Sequence, residues 1–286
     1  MLLIISLLGL LCGSFINAAV WRLHLRIQKP GARSQNKQAG LKTPNTEHRK
    51  PDYSLLSGRS VCPQCRHQLA AADLIPIASW LWLKGRCRYC HKPISAQYPI
   101  VELLTAGLFA WSYLRWDFNG LLSQLDLGVW LMMLVGLIIL AVYDLRWMIL
   151  PNAVIYPLIV LAVVHLGLRV AMTGSGEIIS SNLLAAAVAG LFFYSLYVVG
   201  RGRWMGGGDV KLALLMGLLL GSGRTLVAMF IGFNVAALVS LILMAARRLK
   251  RQDLIPFGPF LIGATIVSML YGAQFFNAYI DYFVSY

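Results

Sequence analysis

Two carboxylates of this 286-residue chain lie at positions where a charge is energetically expensive. Asp144 and Asp209 each stand where a long apolar run meets a polar segment, although 65 residues separate them. Ionisable groups at membrane depth are costly and suggest function. Two carboxylates held close together share a proton, so one can act as a base toward water and the other as an acid toward a carbonyl. Such a pair could hydrolyse a peptide bond; alternatively, each aspartate simply pairs with a nearby base, Arg146 or Lys211.

A run of three glycines, Gly206, Gly207 and Gly208, directly precedes Asp209. Glycine within a helix costs about 1 kcal/mol relative to alanine, so the run predicts unwound backbone with open amide groups. Such a strand could hold a substrate segment by main-chain pairing, whereas a flexible turn between two helices is the simpler alternative. For Lys211 three roles stay open: it could bind a lipid phosphate, tune Asp209 or extend its amine to the membrane surface.

Four of the five cysteines form two CxxC pairs, Cys62 with Cys65 and Cys87 with Cys90. Each short turn can present two thiolates to one ion, and two turns complete the tetrahedral set that Zn²⁺ prefers. A module of about 40 residues builds little core, so bound metal would supply folding free energy. Four unligated cysteines are the alternative, and disulfides are disfavoured where thiols are kept reduced.

The elements that must position these residues are apolar. Hydrophobic residues make up 58% of the chain, charged residues 13%, and the mean hydropathy is +0.69, whereas soluble proteins carry about 25% charged residues. Apolar runs of about 18 residues or more are long enough to cross a membrane. Eight spans are predicted, at 2–23, 99–116, 126–144, 152–170, 180–200, 210–222, 225–246 and 257–280. The short sixth span is expected to be tilted, partly re-entrant or shielded by its neighbours.

The basic residues predict the orientation of the chain. If residues 24–98 are cytoplasmic, all but three of the 25 lysines and arginines fall on the cytoplasmic side. The exceptions are Arg115, Arg169 and Arg224. This bias places the cysteines and both aspartates at the cytoplasmic face and both termini on the other side. Because the net charge of +14 is distributed in this way, we expect contact with anionic membrane lipids and no nucleic-acid partner.

The sequence therefore predicts an all-α polytopic membrane protein with about eight transmembrane helices and a small cytoplasmic zinc-binding module. Residues 1–23 form the first transmembrane helix, and residues 24–60 form a flexible, polar cytoplasmic insertion. Residues 61–98 form the four-cysteine zinc module, and residues 99–286 form the membrane bundle that carries both aspartates. The oligomeric state is not determined by any of these patterns.

Five motifs, in this order, resemble those of the type IV prepilin peptidase family, which comprises leader peptidases of the GxGD intramembrane aspartyl type. They are Gly13-Ser14-Phe15-Ile16-Asn17 with Arg22-Leu23, the segment from Cys62 to Glu102, Asp144 with Leu150-Pro151, Gly206-Gly207-Gly208-Asp209-Val210-Lys211-Leu212, and Pro256-Phe257-Gly258-Pro259-Phe260. The resemblance covers nearly the whole chain outside 27–60. One position departs from the family pattern: many relatives carry Asp after the Leu-Pro pair, where this chain has Asn152.

The resemblance implies that Asp144 and Asp209 are catalytic and that the substrates are type IV prepilins or type II secretion pseudopilins. The family removes their short basic leader after a glycine, at the cytoplasmic face of the bacterial inner membrane. Many members then methylate the new N-terminus from S-adenosylmethionine, and the position implied for this second activity lies around Gly85. No glycine-rich nucleotide fingerprint supports a methyl-donor site independently.

Two other classes of protein are compatible with parts of the pattern. A proton-coupled transporter could use the same two carboxylates as a relay, although transporters tend to place their sites near the midplane within repeats. A membrane scaffold could use the zinc module to bind a partner, but this function would not explain an aspartate preceded by three glycines.

Overall fold

The structure is a computed structural model that describes residues 1–27, 60–62, 64–65, 67–248, 250 and 255–284. Helices dominate the described residues, where β-structure is limited to two isolated bridges. Residues 24–27 continue the first helix, and nearly all the rest of the predicted flexible insertion lies outside the described residues. The chain divides into two compact units, 1–111 and 112–286.

The first unit contains helix α1 (Leu2–Ile27), a 3-10 turn (Ala71–Leu74), the short helix α2 (Ala78–Trp82) and most of helix α3 (Gln97–Arg115). Two glycines of α1 allow its backbone to approach α3 closely. A Cβ at Gly9 would lie 2.7 Å from the Cα of Ala106, and one at Gly13 would lie 2.5 Å from the Cα of Glu102. Close approach of this kind replaces the hydrophobic driving force that helices lack in lipid.

The second unit is a bundle of six helices. They are α4 (Leu121–Trp147), α5 (Asn152–Thr173), α6 (Glu177–Val199), α7 (Gly207–Leu220), α8 (Ser222–Ala245) and α9 (Gly258–Val284). In the apolar, membrane-spanning stretch of α4, 61% of the residues are buried, whereas the corresponding share in α8 is 11%. Helix α4 is therefore central, with Trp130, Met133 and Leu134 fully enclosed, whereas α8 exposes most of its apolar surface.

Each of the eight predicted spans coincides with one of these long helices, so the predicted fold class is confirmed. Six of them, α1, α4, α5, α6, α8 and α9, are long and apolar enough to cross a membrane. The predicted sixth span corresponds to α7, whose 14 residues extend only about 21 Å, less than the roughly 30 Å of hydrocarbon. Its neighbours shield it, since Leu212, Leu215 and Met216 are buried.

Helices α6 and α7 pack against each other extensively, and glycines make the approach possible. A Cβ built at Gly217 on α7 would overlap the backbone of Ala185 and Ala186 on α6. At Gly190 on α6, a Cβ would overlap the side chain of Leu214 on α7. The two helices therefore fit only with hydrogen atoms at these two positions.

Substitution of Gly217 by alanine should destabilise the bundle by about 1–3 kcal/mol, because the added methyl group must push α6 and α7 apart. The matched control is Gly167→Ala on α5, where a Cβ meets nothing within 4 Å. Alanine should leave stability unchanged there or raise it by up to about 1 kcal/mol through helix propensity. Thermal unfolding of the purified variants in detergent measures both; equal melting temperatures would contradict the close packing.

Candidate functional site

Asp144 occupies the last turn of α4, at the point where the chain leaves the bundle. The helix ends at Met148 in the left-handed conformation, and the Met148 amide donates to the Asp144 carbonyl at 2.8 Å. The Asp144 side chain points inward, with 5% of the residue exposed. Its carboxylate lies against the backbone of Gly258, the first residue of α9, where an added Cβ would be 2.5 Å from Oδ2. The end of one helix and the start of another thus fix this carboxylate.

Asp209 lies in the first turn of α7 and is half-buried. Its Oδ2 accepts a hydrogen bond from the Gly206 amide at 3.2 Å, while the Asp209 amide donates to the Gly206 carbonyl at 3.1 Å. This reciprocal arrangement caps the helix, because the first amides of a helix have no partner within it. The carboxylate is held against its own helix end with one face open.

The two aspartates meet at one end of the bundle. Their carboxylates lie close enough to interact electrostatically, and Leu150 packs between the segments that carry them. A Cβ at Gly208 would lie 2.8 Å from the Leu150 Cβ, and a Cβ at Gly258 would lie 2.5 Å from Oδ2 of Asp144 and 3.5 Å from Leu150 Cδ2. The two glycines give Leu150 and the carboxylates room that no other residue would leave.

The glycine run is less unwound than its composition predicts. Only Gly206 is extended, with φ −80° and ψ 151°, whereas Gly207 and Gly208 already belong to α7. Glycine is tolerated there because the first turn has unpaired amides in any case. The prediction of three unwound residues is therefore wrong, and close contact with Leu150 accounts for Gly208. Gly206 and Gly207 are exposed and leave open backbone beside Asp209.

Lys211 does not pair with Asp209. Its Nζ donates a hydrogen bond of 2.7 Å to Oδ1 of Asn152 and lies 5.4 Å from the centroid of the Tyr156 ring. The alternative in which Asp209 serves only as the partner of Lys211 is thus not what the structure shows. Asn152 and Tyr156 stand four residues apart and therefore share one face of α5. This spacing is the sequence signal that could have identified Tyr156 as a second contact of Lys211.

The arrangement provides the groups that acid–base hydrolysis needs. Asp144 is buried, and Asp209 is half-buried next to the exposed Gly206 and Gly207. Among the described residues, no lysine or arginine forms an ion pair with the carboxylate of Asp144 or Asp209. A water molecule between them could lose a proton to one carboxylate while the other donates to a carbonyl.

The four cysteines form a cluster in the first unit. The Sγ atoms of Cys62, Cys65, Cys87 and Cys90 all lie within 4.8 Å of one another, a donor set that one metal ion could bind. Burial opposes ionisation of Cys62, but hydrogen bonds from the backbone and from its neighbouring thiols lower its pKa to about 7. The four predicted ligand atoms therefore lie together in the folded module.

The backbone hydrogen bonds that flank the two CxxC pairs repeat 25 residues along the chain. The Cys62 amide donates to the carbonyl of His67, and the Cys87 amide donates to the carbonyl of Lys92, each at 2.9 Å. The bridge between Val61 and Gln68 likewise recurs between Arg86 and Pro93. Such duplicated turns present two thiolates each toward a shared centre.

Gly85 belongs to the second of these turns. Its carbonyl accepts a hydrogen bond from the Ile94 amide at 2.7 Å, as the Ser60 carbonyl does from Leu69 at 2.9 Å in the first turn. The backbone of Gly85 is left-handed, with φ +68°, and a Cβ would lie 3.0 Å from the Trp80 ring. The left-handed backbone and the close approach of the Trp80 ring together favour glycine here. The implied contact of Gly85 with a methyl donor stays a prediction.

A buried carboxylate attaches the cysteine module to the membrane helices of the first unit. Oε2 of Glu102 on α3 accepts a hydrogen bond of 2.7 Å from the Ile77 amide, just before α2. Asn17 on α1 donates to the Tyr98 carbonyl at 3.1 Å. Sequence reasoning did not give Glu102 a role of its own. The signal was a carboxylate inside an apolar span.

Two protein-family models match the chain. Residues 7–116 match the bacterial peptidase A24 N-terminal domain, and residues 131–242 match the type IV leader peptidase family. The first match contains the four cysteines, and the second contains both aspartates.

Curated relatives span nearly the entire chain. The prepilin leader peptidase/N-methyltransferase of Aeromonas hydrophila is 33% identical, over 98% of this chain and 94% of its own length. The protein of the same name from Bacillus subtilis is 32% identical, over 98% of both chains. That of Pseudomonas aeruginosa is 30% identical, over 96% of this chain and 92% of its own. No solved structure matches.

Proposed function

Because the chain belongs to the type IV leader peptidase family, we propose that it removes the leader of type IV prepilins or type II secretion pseudopilins with Asp144 and Asp209 as its catalytic pair. The observation that carries this proposal is the meeting of the two carboxylates, from separate helices, at one end of the bundle. The relatives are named as peptidases, and none of those compared is named as a transporter. The proton-relay alternative therefore has no support.

The polarity of the two helices assigns a role to each aspartate. Asp209 lies in the first turn of α7, where the positive end of the helix dipole favours a carboxylate ion, and Asp144 lies in the last turn of α4, where the dipole disfavours one. Asp209 is also the more exposed of the two. We assign activation of the attacking water to Asp209 and protonation of the scissile carbonyl to Asp144.

The hydrolysis then proceeds without a covalent intermediate. Asp209 takes a proton from water as its oxygen attacks the carbonyl carbon, and Asp144 donates its proton to the carbonyl oxygen. When the tetrahedral intermediate collapses, the proton held by Asp209 passes to the leaving amine, and the hydroxyl proton returns to Asp144. Gly207 is exposed in the first turn of α7, where amides have no partner within the helix, so its amide is a main-chain donor for an extended substrate segment.

The basic residues support a cytoplasmic position for this site. Arg201 and Arg203 are exposed in the connection that precedes Gly206, and cytoplasmic segments of membrane proteins are enriched in such residues. The exposed indole of Trp204, in the same connection, is suited to the membrane–water interface. A prepilin anchored by its apolar helix would present its leader at this level of the inner membrane.

Asp144→Asn and Asp209→Asn should each lower the rate of leader cleavage at least about a hundredfold, because each removes one half of the acid–base pair. Purified full-length protein in detergent is incubated with a prepilin and S-adenosylmethionine, and mass spectrometry resolves leader removal and an added methyl group. Both should appear with the wild-type chain. When the substrate is a leader-free pilin with an unmethylated N-terminus, both variants should still add the methyl group. This result shows that the variants are folded.

Cleavage at the wild-type rate by either variant would contradict the catalytic pair. Full cleavage by the wild-type chain without any added methyl group would leave the peptidase standing and remove the second activity. That second activity transfers a methyl group from the sulfonium of S-adenosylmethionine to the new N-terminal amine, which loses a proton. Its support is the name shared by the relatives.

Gly258→Ala should lower the cleavage rate by about tenfold to a hundredfold, because the new Cβ would lie 2.5 Å from Oδ2 of Asp144 and displace it. Gly263→Ala on the same helix is the matched control, since a Cβ there meets nothing within 4 Å. Rates and melting temperatures are measured for both variants. Equal rates would show that the position of the Asp144 carboxylate does not limit cleavage.

We also propose that the four cysteines hold one structural Zn²⁺ ion. The clustered sulfur atoms, the duplicated turns and the all-thiolate donor set fit this metal. Bound zinc would stabilise the module by cross-linking its two turns. The cysteines lie in the first unit and the aspartates in the second, and a closed four-thiolate site is structural in character.

Cys62→Ser and Cys87→Ser should each lower the zinc content from about one ion per chain toward zero, because three remaining thiolates hold the ion less tightly. The two should act alike, since they occupy equivalent places in the duplicated turns. Cys12→Ser, in helix α1 and outside the cluster, is the matched control and should retain the metal. Elemental analysis by mass spectrometry measures the content; zinc retained in both cluster variants would refute the ligand assignment.

A further inference from the structure

We propose that the second unit binds the phosphate group of an anionic phospholipid in a cavity at the end opposite to the aspartates. The cavity has a volume of about 400 Å³ and is surrounded by the ends of α5, α7 and α9 and the starts of α6 and α8. Arg169 and Arg224 both line it. These are two of the three basic residues that the orientation rule leaves outside the cytoplasmic segments.

The course of the helices places this cavity far from the catalytic pair. Helix α7 begins beside Asp209 and ends at the cavity with Leu220, 11 residues later, which is about 16 Å along the helix axis. Helix α5 begins with Asn152 near the aspartates and reaches the cavity at Arg169, about 26 Å away on the same scale. The two sites therefore face opposite leaflets of the membrane.

Two arginines line the cavity, and the carboxylate of Asp126 beside it lies 2.6 Å from Nδ1 of another lining residue, His165. Arg169 and Arg224 are both half-buried and close enough to repel each other. Glu177 also lines the cavity, but it is exposed, and no carboxylate among the described residues forms an ion pair with either arginine. Like charges held together in partly buried positions repel each other, and a bound anion would offset that repulsion.

Polar donors converge on the same space. Ser222 and Gly223 begin α8, whose dipole favours an anion. The Ser222 amide donates to the Ser181 hydroxyl at 3.1 Å and the Ser222 hydroxyl donates to the Ser181 carbonyl at 3.0 Å, so these contacts hold α6 and the start of α8 together beside the cavity. The two arginine side chains, together with the first-turn amide of Gly223, form the donor set for phosphate oxygens.

The surroundings favour a lipid phosphate over a free one. Leu166, Leu219 and Phe276 line the cavity beside the arginines, so apolar and cationic surfaces adjoin as they do in an amphiphile. Because α7 is about 9 Å shorter than the hydrocarbon thickness, its end leaves a recess at the level where headgroups lie. The volume also exceeds that of a phosphate ion and suits a headgroup with its glycerol backbone.

Binding is tested on the full-length protein in a neutral detergent by native mass spectrometry. Three additions are compared: a short-chain phosphatidylglycerol, a phosphatidylcholine of the same chain length, and inorganic phosphate. We expect phosphatidylglycerol to bind at least tenfold more tightly than either of the others. Arg169→Gln and Arg224→Gln should each weaken its binding at least tenfold. Arg115→Gln, whose guanidinium stacks 4.7 Å from the Tyr271 ring centroid, is the matched control and should not weaken it.

Leader cleavage by each variant in detergent reports whether it is folded, and we expect both cavity variants to cleave at the wild-type rate. Arg169→Lys and Arg224→Lys keep the charge and should retain part of the affinity. Equal binding of phosphatidylglycerol and phosphatidylcholine, or equal binding by wild type and both glutamine variants, would overturn the proposal. Binding of inorganic phosphate as tight as that of phosphatidylglycerol would overturn the lipid source and leave an anion site.

Discussion

Two like charges must be brought together at the edge of a low-dielectric medium, and the second unit is organised around that requirement. Asp144 comes from the end of α4 and Asp209 from the start of α7, so these two helix ends must meet at the same level. Coulomb repulsion between carboxylates grows as water is removed, and it is opposed here by packing rather than by a counter-charge. Leu150 fills the space between the segments, and Gly208 and Gly258 keep that space available.

The opposite directions of the two helices turn this repulsion into an asymmetry. One carboxylate lies at a positive helix end and the other at a negative one. The nearby amine of Lys211 is bound to Asn152 and lies over the Tyr156 ring, so it does not neutralise either aspartate. The family resemblance implies a carboxylate at this position in many members, where this chain has Asn152. A neutral amide in this place binds the lysine without adding a third negative charge to the site.

Patterns along the chain were sufficient to predict the helices. The position of Asp144 and Asp209 at one membrane face stays a prediction from the span ends and the basic residues. The proximity of the two side chains could not be predicted from sequence, because hydropathy says nothing about which side of a helix faces which neighbour. The contacts of Leu150 with two distant glycines, and of Lys211 with Asn152, depend on that rotation. The glycine run predicted unwound backbone for the same reason. Gly208 is helical, and its lack of a side chain leaves room for Leu150.

The cysteine module was more predictable because its determinants are local. Two CxxC turns specify their own geometry within a few residues, and the cluster forms as spacing predicts. The 25-residue repeat of backbone hydrogen bonds could not be predicted, because the two segments have only the cysteines and a few neighbouring residue types in common. The bond between Glu102 and Ile77 could not be foreseen either, since it joins residues 25 positions apart through a buried carboxylate.

The shortness of α7 has a mechanical consequence for the membrane around it. A lipid-facing helix of 14 residues would force the surrounding bilayer to thin or pucker, at a cost that rises with each ångström of mismatch. Most of α7 is buried, and its neighbours α5, α6 and α8 have 22 to 24 residues. The surrounding lipids therefore contact mainly helices of ordinary transmembrane length. The bundle encloses a thin section without deforming the bilayer, and the end that carries the two aspartates is insulated from differences in acyl-chain length.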